Sequence, residues 1–187
     1  MNNFKFMETE IKGLYIIEQK VFNDDRGYFM ETYNEKAFIE AGLDLKFVQD
    51  NQSKSKRGVL RGIHFQKIHP QGKLVRIIKG EVFDVAVDLR KNSPTFKKWY
   101  GCVLSEVNRM QMYVPKGFAH GFLVLSEEVE FAYKCTDFYH PEDECGYLWN
   151  DPDFNIQWPL ENIEKLLLSE KDKNYLLFNE NKFGFDL

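Results

Sequence analysis

An arginine and a histidine lie three residues apart in the strand-like segment 59–66, where regular periodicity calls for packing residues. Histidine suits acid–base chemistry because its unperturbed pKa lies near neutral pH, and guanidinium groups bind phosphates. Side chains alternate along a regular strand, so Arg61 and His64 should face opposite sides of a sheet. Gly62 between them is what a β-bulge needs, and a bulge can turn both toward one cavity. A half-buried strand with a surface arginine and a core histidine fits the segment equally well.

His120 is the second histidine with a candidate role in chemistry. It lies in segment 114–122, where a turn leads into a strand. The other two histidines, His69 and His140, each precede a proline, which predicts that they lie in turns at the surface. A site in this chain would therefore depend on His64 and His120.

The elements that must position these residues are mostly short strands separated by turn residues, a spacing that indicates an all-β sandwich or barrel. A short helix is predicted over Glu35–Ala41, between an Asn34 N-cap and Gly42, and another begins at Ser169. Residues 53–57 are predicted to form a basic polar loop. The predicted strands are an opening pair within residues 4–22, then 28–33, 47–51, 59–66, 74–78, 82–89, 100–104, 111–114, 121–125 and 129–135.

Composition limits the classes of protein to which the chain can belong. Its 187 residues fit one domain over residues 1–187, and seventeen Phe and nine Tyr favour strands. A net charge of −4 with scattered basic residues argues against nucleic-acid binding. Three cysteines without metal or redox spacing indicate reduced thiols in a cytoplasmic protein. The sequence also lacks a signal-peptide pattern and any apolar run long enough for a membrane span.

The spacing Pro115-x-Gly117-x-x-His120 resembles the second motif of the cupins, a superfamily of jelly rolls also described as double-stranded β-helices. A metal-binding cupin would supply two histidines and a carboxylate from its first motif. Here that motif keeps only His64, and no carboxylate follows before Glu81. Imidazole and carboxylate ligands are what a transition metal requires, so we expect no metal at this site.

Longer motifs extend the resemblance over nearly the whole chain. They are Gln49–Asn51, Val59–Gln66, Gln71–Arg76, Gly80–Asp88, Pro115–Leu125, Glu130–Asp137, Trp149–Pro152 and Leu168–Asp172. Together they resemble the dTDP-4-dehydrorhamnose 3,5-epimerases of nucleotide-sugar biosynthesis. The resemblance implies a cupin-type jelly roll with a few short helices. It also implies a cofactor-independent enzyme that inverts the two carbons flanking the ketone of dTDP-4-dehydro-6-deoxyglucose.

Four residues match the catalytic positions of that family. Protons beside a ketone are weakly acidic, so an epimerase needs a base, a group that holds the enolate oxygen, and an acid on the opposite face. The resemblance assigns these roles to His64, Lys73 and Tyr133, with Asp172 as the carboxylate partner of His64. From the residues alone, Asp172 also fits the third helical position of a capping box that starts at Ser169.

Ten further residues match positions that bind substrate in the family. Ammonium and guanidinium groups suit a diphosphate, and amides suit a base or sugar hydroxyls, although charged residues are also ordinary surface residues. These ten are Arg26, Phe29, Glu31, Gln49, Asn51, Arg61, His120, Tyr139, Glu144 and Lys171. The resemblance also implies a homodimer in which the strand at residues 26–31 reaches the partner's pocket.

Other functions remain compatible with the same motifs. One is a single-carbon epimerase or ketoisomerase acting on another nucleotide-linked deoxysugar. A second is a sugar-binding cupin without catalysis, which would need neither a base nor an acid. A third is a metal-dependent cupin oxygenase, against which the missing ligands count.

Overall fold

The computed structural model describes residues 3–179 and 183–187, and strands make up most of its regular structure. The strands are β1 (Phe4–Glu8), β2 (Tyr15–Gln19), β3 (Val21–Asp24), β4 (Gly27–Met30), β5 (Gln49–Lys56), β6 (Leu60–Gln66), β7 (Lys73–Lys79), β8 (Glu81–Asp88), β9 (Trp99–Ser105), β10 (Gln111–Val114), β11 (Phe118–Val124), β12 (Glu128–Cys135) and β13 (Glu144–Gly146). Two short helices, α1 (Glu35–Glu40) and α2 (Glu170–Lys173), and a 3-10 turn at Pro141–Asp143 complete the set.

Two antiparallel sheets form the body of the fold. One has six strands in the order β1-β2-β10-β7-β12-β5, and the other has five in the order β13-β6-β11-β8-β9. The main core lies between them and contains side chains from both, including Val75 and Phe131 of the first sheet and Val82 and Phe122 of the second. The rings of Phe122 and Phe131 stack across this space with centroids 4.2 Å apart. A polar group between the sheets is therefore surrounded by apolar packing and needs a partner.

The outer face of each sheet is also covered. Phe38 of α1 packs with Ile17, Leu74 and Tyr113 on the six-stranded sheet. The chain after β13 covers the five-stranded sheet with Tyr147, Phe154, Ile156, Trp158 and Phe178, which pack on Leu60, Ile63, Val85 and Leu123. This covering segment also brings α2 to the edge of β6.

A separate hairpin, β3–β4, projects from the sandwich. Its aromatic side chains are unusually exposed for their size: Phe22 is 42% exposed, Tyr28 55% and Phe29 68%. Isolated exposed apolar residues are ordinary, but three on one short hairpin form a patch of the kind that contacts another molecule.

The predicted helix starts are confirmed. Asn34 is the N-cap of α1, accepting a hydrogen bond from the Ala37 amide, and Ser169 is the N-cap of α2. His69 and His140 lie in loops outside the strands, with their rings stacked 4.1 Å apart.

The predicted basic loop at residues 53–57 is wrong. Residues 53–56 belong to β5, which pairs with β12 along its full length. Lys54 and Lys56 face outward, and Ser53 and Ser55 face inward. The side chains therefore alternate as in any strand, but the inward face carries no apolar residues that would have revealed it. The predicted strand at 28–33 is also too long, because β4 ends at Met30.

Candidate active site

The space between the two sheets holds a cavity of about 370 Å³. Its lining comes from β5, β7 and β12 on one side and from β6, β11 and β13 on the other. The polar residues of the lining are Asn51, Gln52, Ser53, Arg61, His64, Lys73, His120, Tyr133, Tyr139 and Glu144. All of these except Gln52 and Ser53 are residues that the sequence predicted for a site.

A bulge at Gly62 brings Arg61 and His64 into the same cavity, which is one of the two arrangements that the sequence left open. His120 of β11 pairs with His64, and Phe122 pairs with Arg61, so β6 holds one extra residue between these two pairs. Gly62 has φ +121°, and a Cβ there would lie 2.5 Å from the Gly121 Cα. Only glycine fits this conformation and this close approach of two strands.

His64 is paired with a buried carboxylate. Its Nε2 lies 2.5 Å from Asp172 Oδ1, and Asp172 is 2% exposed. Burial alone would raise the pKa of Asp172, but hydrogen bonds from His64, Ser169 and the Gly62 amide outweigh it and lower that pKa. The carboxylate is therefore ionised at neutral pH. Because it holds the Nε2 proton, the lone pair of a neutral His64 lies on Nδ1, where it can act as a base.

Asp172 fills both roles that the sequence left open. Its backbone amide donates to Ser169 Oγ at 3.1 Å, which is the N-cap bond of α2. Its Oδ2 accepts a hydrogen bond from the same Ser169 hydroxyl at 2.6 Å, while Oδ1 faces His64. The cap therefore fixes the carboxylate that orients the imidazole, and the two interpretations are not alternatives.

Tyr133 and Lys73 line the cavity from the sheet opposite His64. Tyr133 lies on β12 and Lys73 on the neighbouring strand β7. Burial raises the pKa of Tyr133, so its phenol stays protonated at neutral pH. Burial lowers the pKa of Lys73, and nearby Cys135 and Glu144 oppose that shift. An imidazole and a phenol thus line the cavity from opposite sheets, and Lys73 lies on the strand next to that of the phenol.

Hydrogen bonds connect the residues at the edge of the cavity. Glu144 accepts from the Tyr139 hydroxyl and lies 2.7 Å from Lys171 Nζ. The Tyr139 amide donates to Gln49 Oε1 at 2.9 Å, and Gln49 Nε2 donates to Asn51 Oδ1 at 3.0 Å. The hydrogen bond to Glu144 raises the pKa of Tyr139 to about 12. Five predicted binding residues therefore form one connected edge.

Comparison with known proteins agrees with this geometry. The model of the dTDP-4-dehydrorhamnose 3,5-epimerase family matches residues 8–180. A relative from Methanothermobacter thermautotrophicus, itself named dTDP-4-dehydrorhamnose 3,5-epimerase, is 58% identical over 181 residues, which cover 97% of this chain and 98% of that protein. The chain belongs to the dTDP-4-dehydrorhamnose 3,5-epimerase family.

Two further comparisons describe the range of this epimerase family. The crystal structure of a Legionella pneumophila 3,5-epimerase in complex with dTDP-4-keto-L-rhamnose superposes with a TM-score of 0.91 at 51% identity, covering 94% of this chain and 93% of that one. A Streptomyces niveus relative named dTDP-4-dehydrorhamnose 3-epimerase is 41% identical over 172 residues, covering 91% of this chain and 82% of that protein. The two-sheet sandwich is thus the cupin-type jelly roll that the motifs predicted.

Three predicted binding residues of the epimerase neither line its cavity nor bond to a residue of the lining. The Arg26 side chain is 90% exposed and pairs with Asp24, and Phe29 is also exposed. Glu31 accepts hydrogen bonds from Asn34 and from the Asn3 side chain. Arg26 and Phe29 belong to the β3–β4 hairpin and Glu31 follows it directly. The cavity lining of this chain therefore contains none of the three.

Sequence reasoning missed Asp84, which is fully buried beside the cavity. His120 Nε2 lies 2.9 and 3.0 Å from its two carboxylate oxygens. Burial raises the pKa of Asp84, and the charges of His120 and Lys73 oppose the shift. The sequence feature that could have identified Asp84 is its place at an inward position of β8, between Val82 and Ala86. A charged residue on the buried face of a strand requires a partner.

The described parts of the chain offer neither a metal cluster nor a helix that could span a membrane. Among residues 3–179 and 183–187, no group of three or more His, Cys, Asp or Glu side chains could hold a metal ion. Over the same ranges, no helix is long and apolar enough to cross a membrane.

Proposed function

We propose that the chain inverts C3 and C5 of dTDP-4-dehydro-6-deoxy-D-glucose to give dTDP-4-dehydro-L-rhamnose, in the biosynthesis of dTDP-L-rhamnose. The observation that carries the proposal is the opposition of the His64–Asp172 pair and Tyr133 across one cavity. The names of the relatives and the sugar nucleotide bound to the Legionella enzyme support the same substrate class. The reaction in this proposal needs no metal and no cofactor.

His64 is the proposed base. A carbon next to the 4-ketone gives its proton to His64 Nδ1, and the C–H electron pair moves into the enolate. The imidazolium that forms is stabilised by Asp172, which is ionised and 2.5 Å from Nε2.

Lys73 is proposed to hold the enolate oxygen. Its ammonium group lines the cavity beside Tyr133, and charge stabilisation at a developing oxyanion is worth more in an enclosed site than in water. Asp84 and His120 lie near this lysine and complete the buried charge group.

Tyr133 is the proposed acid. Its phenol gives a proton to the face of the enolate opposite His64, which inverts the carbon. Solvent then restores the Tyr133 proton and removes the one on His64, so the cycle balances. The sugar presents C3 and C5 in turn to the same pair of residues.

The remaining predicted residues are proposed to bind the nucleotide part of the substrate. Arg61 and Lys171 suit the diphosphate, and the edge formed by Gln49, Asn51 and Tyr139 suits the base or sugar hydroxyls. We also propose a homodimer in which Arg26, Phe29 and Glu31 contact the partner's substrate, supported by the exposed hairpin.

Residues 1–187 are proposed to act as one domain in the cytoplasm. The three cysteines are free, which is compatible with a reducing compartment.

A second candidate is inversion of one carbon only, which the name of the Streptomyces niveus relative favours. Incubation with the dTDP-linked ketosugar in deuterium oxide, followed by NMR, separates the two. Deuterium at both C3 and C5 with the L-rhamno product is expected, whereas inversion and exchange at C3 alone would establish the second candidate. His64→Asn should abolish exchange at both carbons, and Tyr133→Phe should keep exchange but lose inversion. Exchange that survives in His64→Asn would remove His64 as the base.

A further inference from the structure

Tyr175 packs against the proposed base from outside the cavity. It follows α2 directly after the Asn174 C-cap, and its ring centroid lies 5.5 Å from that of His64 with the ring planes 60° apart. The residues that line the cavity do not include it. Tyr175 therefore contacts the imidazole without being placed to touch the sugar.

The backbone beside His64 is shaped to receive this ring. Gly146 of β13 pairs with His64 of β6, and a Cβ at Gly146 would lie 2.7 Å from Tyr175 Cε2 and Cζ. A side chain at 146 would require the tyrosine ring or the Ile63 carbonyl to shift. The Tyr175 ring thus lies on the strand that flanks the base.

The Tyr175 hydroxyl shows that this side of the pair is closed to solvent. Within residues 3–179 and 183–187, its oxygen is buried and has no hydrogen-bond partner. An oxygen with almost no accessible surface is out of reach of bulk water, so bulk solvent does not enter from this side. Burial raises the pKa of Tyr175, with Glu144 and Asp172 adding to the shift, and the phenol remains neutral.

We propose that Tyr175 is a positioning residue that holds the His64 imidazole against Asp172 and closes the pair to water. In the absence of competing water, the hydrogen bond between imidazole and carboxylate is stronger, and the imidazole keeps one orientation. The ring supplies this effect, and the hydroxyl does not. The inference rests on the proposed function because it takes His64 as the base.

The test measures the His64 Nε2 proton directly as well as turnover. A carboxylate-bound imidazole N–H gives a far-downfield proton NMR signal that persists only when water is excluded. In Tyr175→Ala this signal should be lost to solvent exchange, and kcat should fall about tenfold or more while KM stays within about twofold. Tyr175→Phe should keep both the signal and kcat. Leu176→Ala is the matched control, because Leu176 follows Tyr175 directly and is 53% exposed.

Tyr175→Leu covers the case in which Tyr175→Ala does not fold, since it keeps apolar volume but not the flat ring. A retained signal and wild-type kcat in Tyr175→Ala, or in Tyr175→Leu if the alanine variant is unfolded, would overturn the inference. A loss of kcat in Tyr175→Phe as large as that in Tyr175→Ala would also overturn the inference, because the effect would then come from the hydroxyl and not from the ring. The proposed function fails differently, through deuterium exchange that survives in His64→Asn.

Discussion

Asp172 is placed so that one side chain contacts both the N-cap of a helix and the His64 imidazole. Its two oxygens are divided between Ser169 and His64, and its own amide closes the N-cap bond. A change at this residue therefore cannot separate stability from chemistry, but a change at Ser169 can. The structure thus alters the expectation from sequence, in which the cap and the carboxylate partner were competing interpretations.

Asp172→Asn is expected to lower kcat by about three orders of magnitude, because a neutral amide no longer stabilises the imidazolium. It should also cost about 1–3 kcal/mol of unfolding free energy, since the buried group loses a charge-assisted hydrogen bond. Ser169→Ala is the matched control and should cost about 0.5–2 kcal/mol with a much smaller loss of kcat. Urea unfolding measures the change in unfolding free energy, and steady-state kinetics measure the change in kcat. Equal losses of kcat in the two variants would show that the cap, and not the charge, sets the activity.

The lowered pKa of Asp172 also predicts a pH dependence of stability. A carboxyl whose folded pKa is depressed stabilises the fold fully above its unfolded pKa, near 3.8, and loses that contribution as the pH falls through the folded value. The wild type should therefore lose more stability than Asp172→Asn between about pH 5 and pH 2. Thermal melts of both proteins over this range provide the measurement. Parallel curves would mean that Asp172 has no depressed pKa.

At the scale of elements, local signals predicted local structure. The Asn34 and Ser169 caps could be predicted from the sequence because each depends on residues a few positions apart. The bulge at Gly62 was one of two arrangements that the sequence allowed, because it also depends on pairing with β11. The second half of β5 was missed because its inward face carries serines and not apolar residues. Asp84 was missed because its partner His120 lies on another strand, and only pairing brings the two together.

The bulge gives an element-scale prediction. In Gly62→Ala the new Cβ would meet the Gly121 backbone in a conformation that L-residues rarely adopt, so β6 and β11 must separate. We expect a loss of several kcal/mol, roughly 3 or more, together with loss of activity, because Arg61 and His64 depend on this register. Gly42→Ala is the control, since Gly42 has φ +86° with nothing within 4 Å of its Cβ position and should show the backbone strain alone. Similar melting temperatures for the two variants would show that the close contact with β11 does not matter.

At the scale of the whole molecule, the predicted site residues fall into two groups. Eight predicted residues line the cavity of this chain, and Gln49, Lys171 and Asp172 bond to residues of that lining. Arg26 and Phe29 instead lie exposed on the aromatic β3–β4 hairpin. A homodimer that exchanges hairpins would explain both the exposed surface and the missing contacts, because each cavity would be completed by the other subunit.

Mixed dimers of two inactive variants test this exchange. Arg26→Ala should lose activity because it lacks a phosphate contact, and His64→Asn should lose activity because it lacks the proposed base. If Arg26 acts in the partner's cavity, a dimer of one Arg26→Ala chain and one His64→Asn chain has one complete site, with His64 from the first chain and Arg26 from the second. Co-expression at equal levels makes half of the dimers mixed, so activity should recover to about a quarter of wild type. Mixing Lys73→Ala with His64→Asn is the control and should restore nothing, because both residues line the same chain's cavity. If Arg26 acts in its own chain, the first mixture also stays inactive, since every site then lacks one of the two residues.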